Sequence, residues 1–163
     1  MNNIDIVNRV KELRKNNKGE EARELLLQAL NHDCNDPELN YQMAWTCDFM
    51  GLESEAIPYY KNAIENNLNA DDKLGAYLGL GSTYRCIGEY QNSLETFDKG
   101  ISEFPEYRAF YVFRALTLFN LNKYEKSIED LLLQLIETTS DNSIKLYTKA
   151  LKFYSDKLNQ TWT

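Results

Sequence analysis

Histidine and cysteine, two residue types that often carry catalysis or metal binding, are sparse in this chain. His32 is its only histidine, so a serine or cysteine nucleophile could use no other imidazole as its base. Cys34 lies nearby, but two residues do not make a metal site. A place near a helix end, where a cation complements the helix dipole, explains His32 better. We therefore predict that the protein is not an enzyme and that it has no catalytic residue, no metal and no cofactor.

The three cysteines, Cys34, Cys47 and Cys86, are odd in number and lack the close spacing of metal ligands. Free thiols are typical of a reducing compartment. The chain begins Met1-Asn2-Asn3-Ile4-Asp5, without the basic start and apolar core of a secretion signal. We therefore expect a cytoplasmic protein.

The net charge and the lack of long apolar runs argue against two classes of partner, nucleic acids and membranes. Lysine and arginine total 18 against 25 aspartates and glutamates, for a net charge of -7. Nucleic-acid binding requires cations that displace phosphate counterions, so no nucleic-acid partner is expected. No apolar run reaches the roughly 20 residues of a membrane span, so no membrane partner is expected either.

Small, apolar and aromatic residues recur at spacings of 3, 4 and 7, which place them on one helix face. The clearest unit contains Tyr77, Leu80, Gly81 and Tyr84, followed by Ser93, Phe97, Gly100 and Pro105. The small residue of each second helix recurs as Ala22, Ala56, Ser93 and Ser127. The steps are 56 − 22 = 34, 93 − 56 = 37 and 127 − 93 = 34. This spacing predicts an all-α fold of four helix pairs.

The predicted elements follow from this spacing and from turn residues. Gly51, Gly88 and Asn122 stand where the first helix of a pair must end. About nine helices are expected, at 2–16, 19–32, 36–50, 53–67, 71–87, 90–103, 106–121, 124–138 and 141–158. A single domain, 1–163, would contain repeats at 3–36, 37–73, 74–107 and 108–140, a capping helix at 141–158 and a loose tail at 159–163.

The order of a large residue, Leu80-Gly81 and Tyr84, then a small residue, an aromatic and a closing proline, resembles the tetratricopeptide repeat. The stretches Leu80–Gly88 and Ala56–Tyr60 are similar to short, stand-alone bacterial tetratricopeptide proteins of unassigned activity. The resemblance implies a right-handed α-solenoid that binds a protein or peptide in its concave groove. One departure is Arg114, which replaces an apolar residue and predicts a strained or salt-bridged position.

Candidate binding residues lie on the groove side of the first helices. If Asn40, Met43, Ala44 and Cys47 face the partner helix, the helical period places other residues in the groove. These are Tyr41, Trp45, Asp48 and Phe49, then Ser82 and Arg85, then Val112, Leu116 and Phe119, with Lys149 from the last helix. The first helix adds Lys11, Arg14 and Lys15.

Two interpretations of this surface stay open. Trp45 and Phe119 could simply pack between adjacent first helices, with the lysines solvating the ends. Alternatively, the groove holds a peptide of acidic character, with Trp45, Tyr41 and Phe119 as apolar anchors. Arg85 would then contact a ligand carboxylate and pair with Asp48 in the free state.

A clamp for a terminal carboxylate is not expected, because Gly75 and Gly79 occupy places where such a clamp could carry basic residues. We therefore predict an adaptor that binds an unknown protein or peptide. The alternative is self-association, for example as a homodimer, with the groove filled by a second copy or by the tail that carries Trp162.

Overall fold

The computed structural model describes residues 2–162, in which helices connected by turns are present and strands are absent. Ten α-helices follow one another in these residues. They are α1 (Asn3–Lys15), α2 (Gly19–Leu30), α3 (Pro37–Phe49), α4 (Glu53–Glu65), α5 (Ala70–Cys86), α6 (Tyr90–Glu103), α7 (Ala109–Asn120), α8 (Tyr124–Thr138), α9 (Asn142–Lys145) and α10 (Thr148–Tyr154). The first eight confirm the predicted helices, with shifts of one to three residues at most ends.

Short polar side chains start several of these helices. Asn2, Asp36 and Asn69 each accept a hydrogen bond from the backbone N–H three residues further on, at 2.9, 2.8 and 3.0 Å. These bonds satisfy donors that have no partner within the helix. Pro37 occupies the first position of α3, where a missing N–H costs nothing.

The turns inside the helix pairs close with a residue of positive φ. These residues are Asn17 (62°), Gly51 (72°), Gly88 (83°) and Asn122 (59°). Their steps, 51 − 17 = 34, 88 − 51 = 37 and 122 − 88 = 34, repeat the steps of the small residues. Glycine and asparagine tolerate this left-handed conformation better than other residues. Gly51, Gly88 and Asn122 were predicted to end first helices, and Asn17 now joins them.

The chain divides into two compact units, one up to Glu89 and the other from Tyr90. In the first unit, each of the helices α1 to α5 packs against the next, and α3 also contacts α1 and α5. Its core includes Val10, Leu26, Met43 and Tyr60. In the second unit, α7 packs against α6 and α8, and α10 packs against α8. The assignment of all residues to one domain of four repeats stays a prediction.

The expected last helix, 141–158, is two short helices, so the prediction of one continuous helix was wrong. A turn at Leu146 and Tyr147 separates α9 from α10, with the N–H of Tyr147 donating to the Ile144 carbonyl at 3.0 Å. Leu146 and Tyr147 are exposed. Without an apolar partner for this turn, propensity alone does not sustain a helix of this length.

The tail beyond α10, up to Trp162, packs on other residues of the second unit and is not loose as expected. Thr163, the last residue of the predicted tail, lies outside the described residues. The Trp162 ring lies 5.9 Å from the ring of Phe153 and 5.4 Å from that of Tyr154, between centroids. Asn159 donates to the Glu125 carboxylate at 2.6 Å.

Arg114 is salt-bridged, as its departure from the apolar pattern predicted. Its Nε and Nη2 donate to the two carboxylate oxygens of Asp130 at 2.8 and 2.9 Å, and Nη1 donates to Asp98 at 2.9 Å. Burial opposes the charge, but the hydrogen bonds to Asp130 and Asp98 raise the pKa of Arg114. The pair allows a charged residue to occupy a position that is otherwise apolar.

Candidate functional site

The two faces of α3 differ as the helical period predicts. Asn40, Met43, Ala44 and Cys47 are buried against neighbouring helices. On another face of α3, Trp45 is 47% exposed and Phe49 is 43% exposed. Two large aromatic side chains one helical turn apart therefore remain accessible in the first unit.

Tyr41, the third aromatic residue predicted on this surface, is buried. Its ring centroid lies 6.1 Å from that of Trp45 and 6.3 Å from that of Tyr60. Tyr41 therefore supports Trp45 from beneath, and its own surface is mostly covered.

Gly75 and Gly79 provide space for these tyrosines. A Cβ atom at Gly75 would overlap the Tyr41 hydroxyl, and one at Gly79 would overlap the Tyr60 ring. From the sequence, Gly75 and Gly79 were interpreted only as positions that lack a basic side chain. Their presence inside a helix, where glycine is unfavourable, was a signal of this close approach.

Asp48 is partly buried and is held by two hydroxyl groups. The Tyr60 hydroxyl donates to its Oδ2 at 2.7 Å, and Thr83 Oγ1 donates to its Oδ1 at 3.0 Å. Burial raises the pKa of Asp48 above its ordinary value, although these two hydrogen bonds act in the opposite direction. The carboxylate thus joins α3, α4 and α5 through these hydroxyl groups. Its pairing with Arg85 stays a prediction.

A pocket of about 260 Å³ opens between α1 and α3. Its lining is Lys11, Arg14 and Lys15 from α1 with Trp45 and Phe49 from α3. The lysines are exposed, one turn apart, and Arg14 lies between them in the sequence. The pocket combines three cations with the two accessible aromatic residues of α3.

Arg14 is only 7% exposed, and its hydrogen bonds go to neutral acceptors on α3. Nη1 donates to the Gln42 carbonyl and to Thr46 Oγ1, both at 2.9 Å, and Nη2 donates to Gln42 Oε1 at 2.5 Å. Its Cζ atom lies 4.4 Å from the centroid of the Trp45 ring, a cation–π contact. Burial lowers the pKa of Arg14 to about 10.

The other candidate residues of the first unit are on α5. Ser82 and Arg85 are both partly buried there. They lie on the helix that carries Gly75 and Gly79, and this helix contacts α3.

In the second unit, the predicted residues of α7 form a partly exposed apolar stripe. Phe119 is 59% exposed and packs edge-on against Tyr124, with 5.1 Å between the ring centroids. Leu116, one turn earlier, is also exposed, and Val112 is partly buried. Lys149 is exposed on α10.

The described residues offer few groups for catalysis or for metal binding. His32 is exposed, and the described residues hold no group of three or more histidine, cysteine or acidic side chains placed for a metal ion. Cys34, Cys47 and Cys86 are free thiols. Within residues 2–162, no helix is both long enough and apolar enough to cross a membrane.

Comparison with known sequences identifies a family. A family model described as "Tetratrico peptide repeat" matches residues 37–158. Superkiller protein 3 of Saccharomyces cerevisiae is 26% identical over 94 residues, which are 58% of this chain and 6% of that protein. The chain therefore spans a small fraction of the length of this relative.

Comparison with solved structures shows the same fold. A crystal structure of MamA has a TM-score of 0.72 at 20% identity, covering 91% of this chain and 88% of that one. MamA from Desulfovibrio magneticus RS-1, from residue 41 to its end, has a TM-score of 0.67 at 17% identity, covering 96% of each chain. YrrB, described as a TPR protein with an unusual peptide-binding site, has a TM-score of 0.55 at 18% identity, covering 91% of this chain and 92% of that one.

Proposed function

The chain belongs to the tetratricopeptide repeat family, and we propose that it is a non-enzymatic adaptor that binds a protein or peptide through the concave groove typical of that family. The observation that carries the proposal is the pairing of exposed Trp45 and Phe49 with the cations of α1. A partner would bury both aromatic rings and meet complementary charge.

Trp45 is suited to anchor a partner because it is held in place before binding. Tyr41 supports its ring, and the guanidinium of Arg14 lies against its face. An anchor that is already ordered loses little side-chain entropy on association. Tryptophan and arginine are also the residues that most often dominate binding free energy at interfaces.

The stripe of Val112, Leu116 and Phe119 on α7 would supply apolar contacts in the second unit. Concave faces of repeat proteins commonly bind partners. Ser82, Arg85 and Lys149 would add polar contacts at the margins of these surfaces.

The three free thiols suit a reducing environment, so we propose that the adaptor is a protein of the bacterial cytoplasm. We propose that its partner is acidic, because the accessible aromatics of α3 lie among cations.

Affinity capture tests this proposal. Tagged wild-type protein and Trp45→Ala would be incubated with extract of the native organism, and any captured protein would be purified and bound again in isolation. We expect Trp45→Ala to lose about 2 kcal/mol of binding free energy, as truncated anchors do, while the protein stays folded.

Tyr147→Ala is the matched control, since Tyr147 is an exposed aromatic residue on a different part of the chain. It should capture as the wild type does. Retention of the partner by Trp45→Ala at full affinity would exclude this surface as the binding site.

Self-association is the second candidate function. Exposed aromatic residues gather near the end of the chain, where Phe153, Tyr154 and Trp162 are each about half exposed and contact one another. Trp162 already packs on its own chain, so a homodimer would be formed by the shared aromatic surface and not by a free tail. Sedimentation of the wild type and Trp162→Ala across a range of concentrations decides between monomer and dimer.

A further inference from the structure

We infer that Arg14 is the anion receptor of the pocket between α1 and α3, and that this pocket holds an acidic peptide segment in which a carboxylate side chain stands next to an apolar one. The inference rests on the proposed function and names the chemistry of the ligand at that surface. It gives Lys11, Arg14 and Lys15, which were predicted from the sequence to lie in the groove, a common role in binding an anion.

The first observation is the unusual environment of Arg14. A buried guanidinium is normally compensated by a carboxylate. The hydrogen-bond acceptors of Arg14 are two carbonyl oxygens and one hydroxyl, all neutral. Three of the five N–H donors of a guanidinium are used, so two remain for an incoming acceptor.

The second observation is that charge compensation exists elsewhere in the same fold. Arg114, in the second unit, binds Asp130 through two hydrogen bonds and Asp98 through a third. Arg14 is buried, whereas Arg114 is only partly buried, yet Arg14 has no carboxylate among its contacts in residues 2–162. A carboxylate from a partner would complete the Arg14 site as Asp130 completes the Arg114 site.

The third observation is the charge around the pocket. Lys11 and Lys15 are exposed at its edge. Burial raises the pKa of Glu38, and the nearby charge of Lys11 acts in the opposite direction. Positive charge is therefore concentrated here on a chain whose net charge is -7. Three cations match a segment with several acidic residues better than a single terminal carboxylate.

The fourth observation is the size and apolar lining of the pocket. A volume of about 260 Å³ is smaller than the roughly 300–1,000 Å³ of sites for small-molecule ligands. It suits one or two side chains of a longer peptide. Trp45 and Phe49 would contact an apolar side chain next to the carboxylate that reaches Arg14, because all three residues line the same pocket.

A random dodecapeptide library displayed on phage tests the inference without knowledge of the natural partner. Wild-type protein should enrich peptides in which aspartate or glutamate neighbours a large apolar residue. Arg14→Gln and the double variant Lys11→Gln/Lys15→Gln should lose that enrichment. The double variant changes exposed side chains only, so it tests the charge even if Arg14→Gln folds poorly. Lys61→Gln, at an exposed lysine on α4, is the matched control and should select as the wild type does.

The best peptide would then be compared with its glutamine-substituted copy on a Trp162→Phe background, which leaves Trp45 as the only tryptophan. We expect the acidic peptide to change Trp45 fluorescence and to bind at least about tenfold more tightly than the glutamine copy. The difference should shrink as salt concentration rises. Inorganic phosphate at the same concentration should not displace it.

Several outcomes would overturn the inference. Selected peptides that lack acidic residues but still require Trp45 would refute the anion receptor and leave the adaptor function standing. Unchanged acidic enrichment in both charge variants would place the ligand elsewhere. Displacement by phosphate would indicate a general anion site. A library with no retained peptide would also refute the inference, and the capture experiment would then decide the adaptor function separately.

Discussion

The guanidinium of Arg14 lies over the indole ring of Trp45, with 4.4 Å between the Cζ atom and the ring centroid. One residue is buried and the other is about half exposed, so the contact connects the interior of the first unit to its accessible surface. The same guanidinium is hydrogen-bonded to Gln42 and Thr46. A single side chain thus positions the aromatic residue and contributes one of the three positive charges of the pocket.

Arg14→Lys should destabilise the protein by about 1–3 kcal/mol, because an ammonium cannot reach the three acceptors that the planar guanidinium bonds at once. Urea denaturation of the wild type and the variant measures the difference. Arg9→Lys is the matched control on the same helix, since Arg9 is exposed and its salt bridge is with Glu12, which is also exposed. Equal losses for the two variants would mean that the buried hydrogen bonds of Arg14 contribute nothing.

Gly75→Ala should destabilise the first unit by about 1–3 kcal/mol through overpacking, even though alanine is favoured over glycine in a helix by about 1 kcal/mol. The added Cβ would overlap the Tyr41 hydroxyl, while the next nearest atom, Cζ of Tyr41, would lie 3.1 Å away. Tyr41→Phe removes the hydroxyl, so the double variant should recover most of the loss. Thermal melts of the wild type, both single variants and the double variant complete a double-mutant cycle. Additive losses would show that the two groups do not meet.

Asp130→Asn should lower the free energy of unfolding by about 2–4 kcal/mol, because it leaves the guanidinium of Arg114 without its bidentate partner in a largely buried position. Asp98→Asn removes the other carboxylate that binds Arg114, but the Asp98 side chain is half exposed. That second change should cost less than about 1 kcal/mol. Chemical denaturation of the two variants measures how much unfolding free energy each of them loses. A larger effect from Asp98 would contradict the assignment of Asp130 as the structural partner.

The thiols should separate into two classes. Burial raises the pKa of Cys47 to about 11. At pH 8 about one thiol in a thousand would then be the reactive thiolate, and its side chain is also covered. Cys34 and Cys86 are exposed. Titration of the native protein with a chromogenic disulfide should therefore report two fast thiols, and the third only after unfolding. Three fast thiols would mean that Cys47 is accessible in solution.

Local sequence determined the helices of this protein and much of their register. The period of small residues, the caps and the glycine or asparagine turns act within a few residues of one another, so they can be interpreted without tertiary structure. The buried face of α3 followed from the same spacing, and so did the exposure of Trp45 and Phe49. The charge at Arg114 could be anticipated because it interrupts an apolar pattern.

Tertiary structure alone decided which groups meet across helices. Arg14 was predicted as a groove cation, but its burial depends on acceptors from α3, and no spacing within α1 reveals Gln42 or Thr46. Tyr41 has the same periodic position as an anchor, yet the absence of side chains at Gly75 lets α5 cover it. The last predicted helix divided at Leu146 because exposed apolar residues there have nothing to pack against. Periodicity shows which way a side chain points along its own helix, whereas burial, charge compensation and close approach depend on what the neighbouring helix brings to the same place.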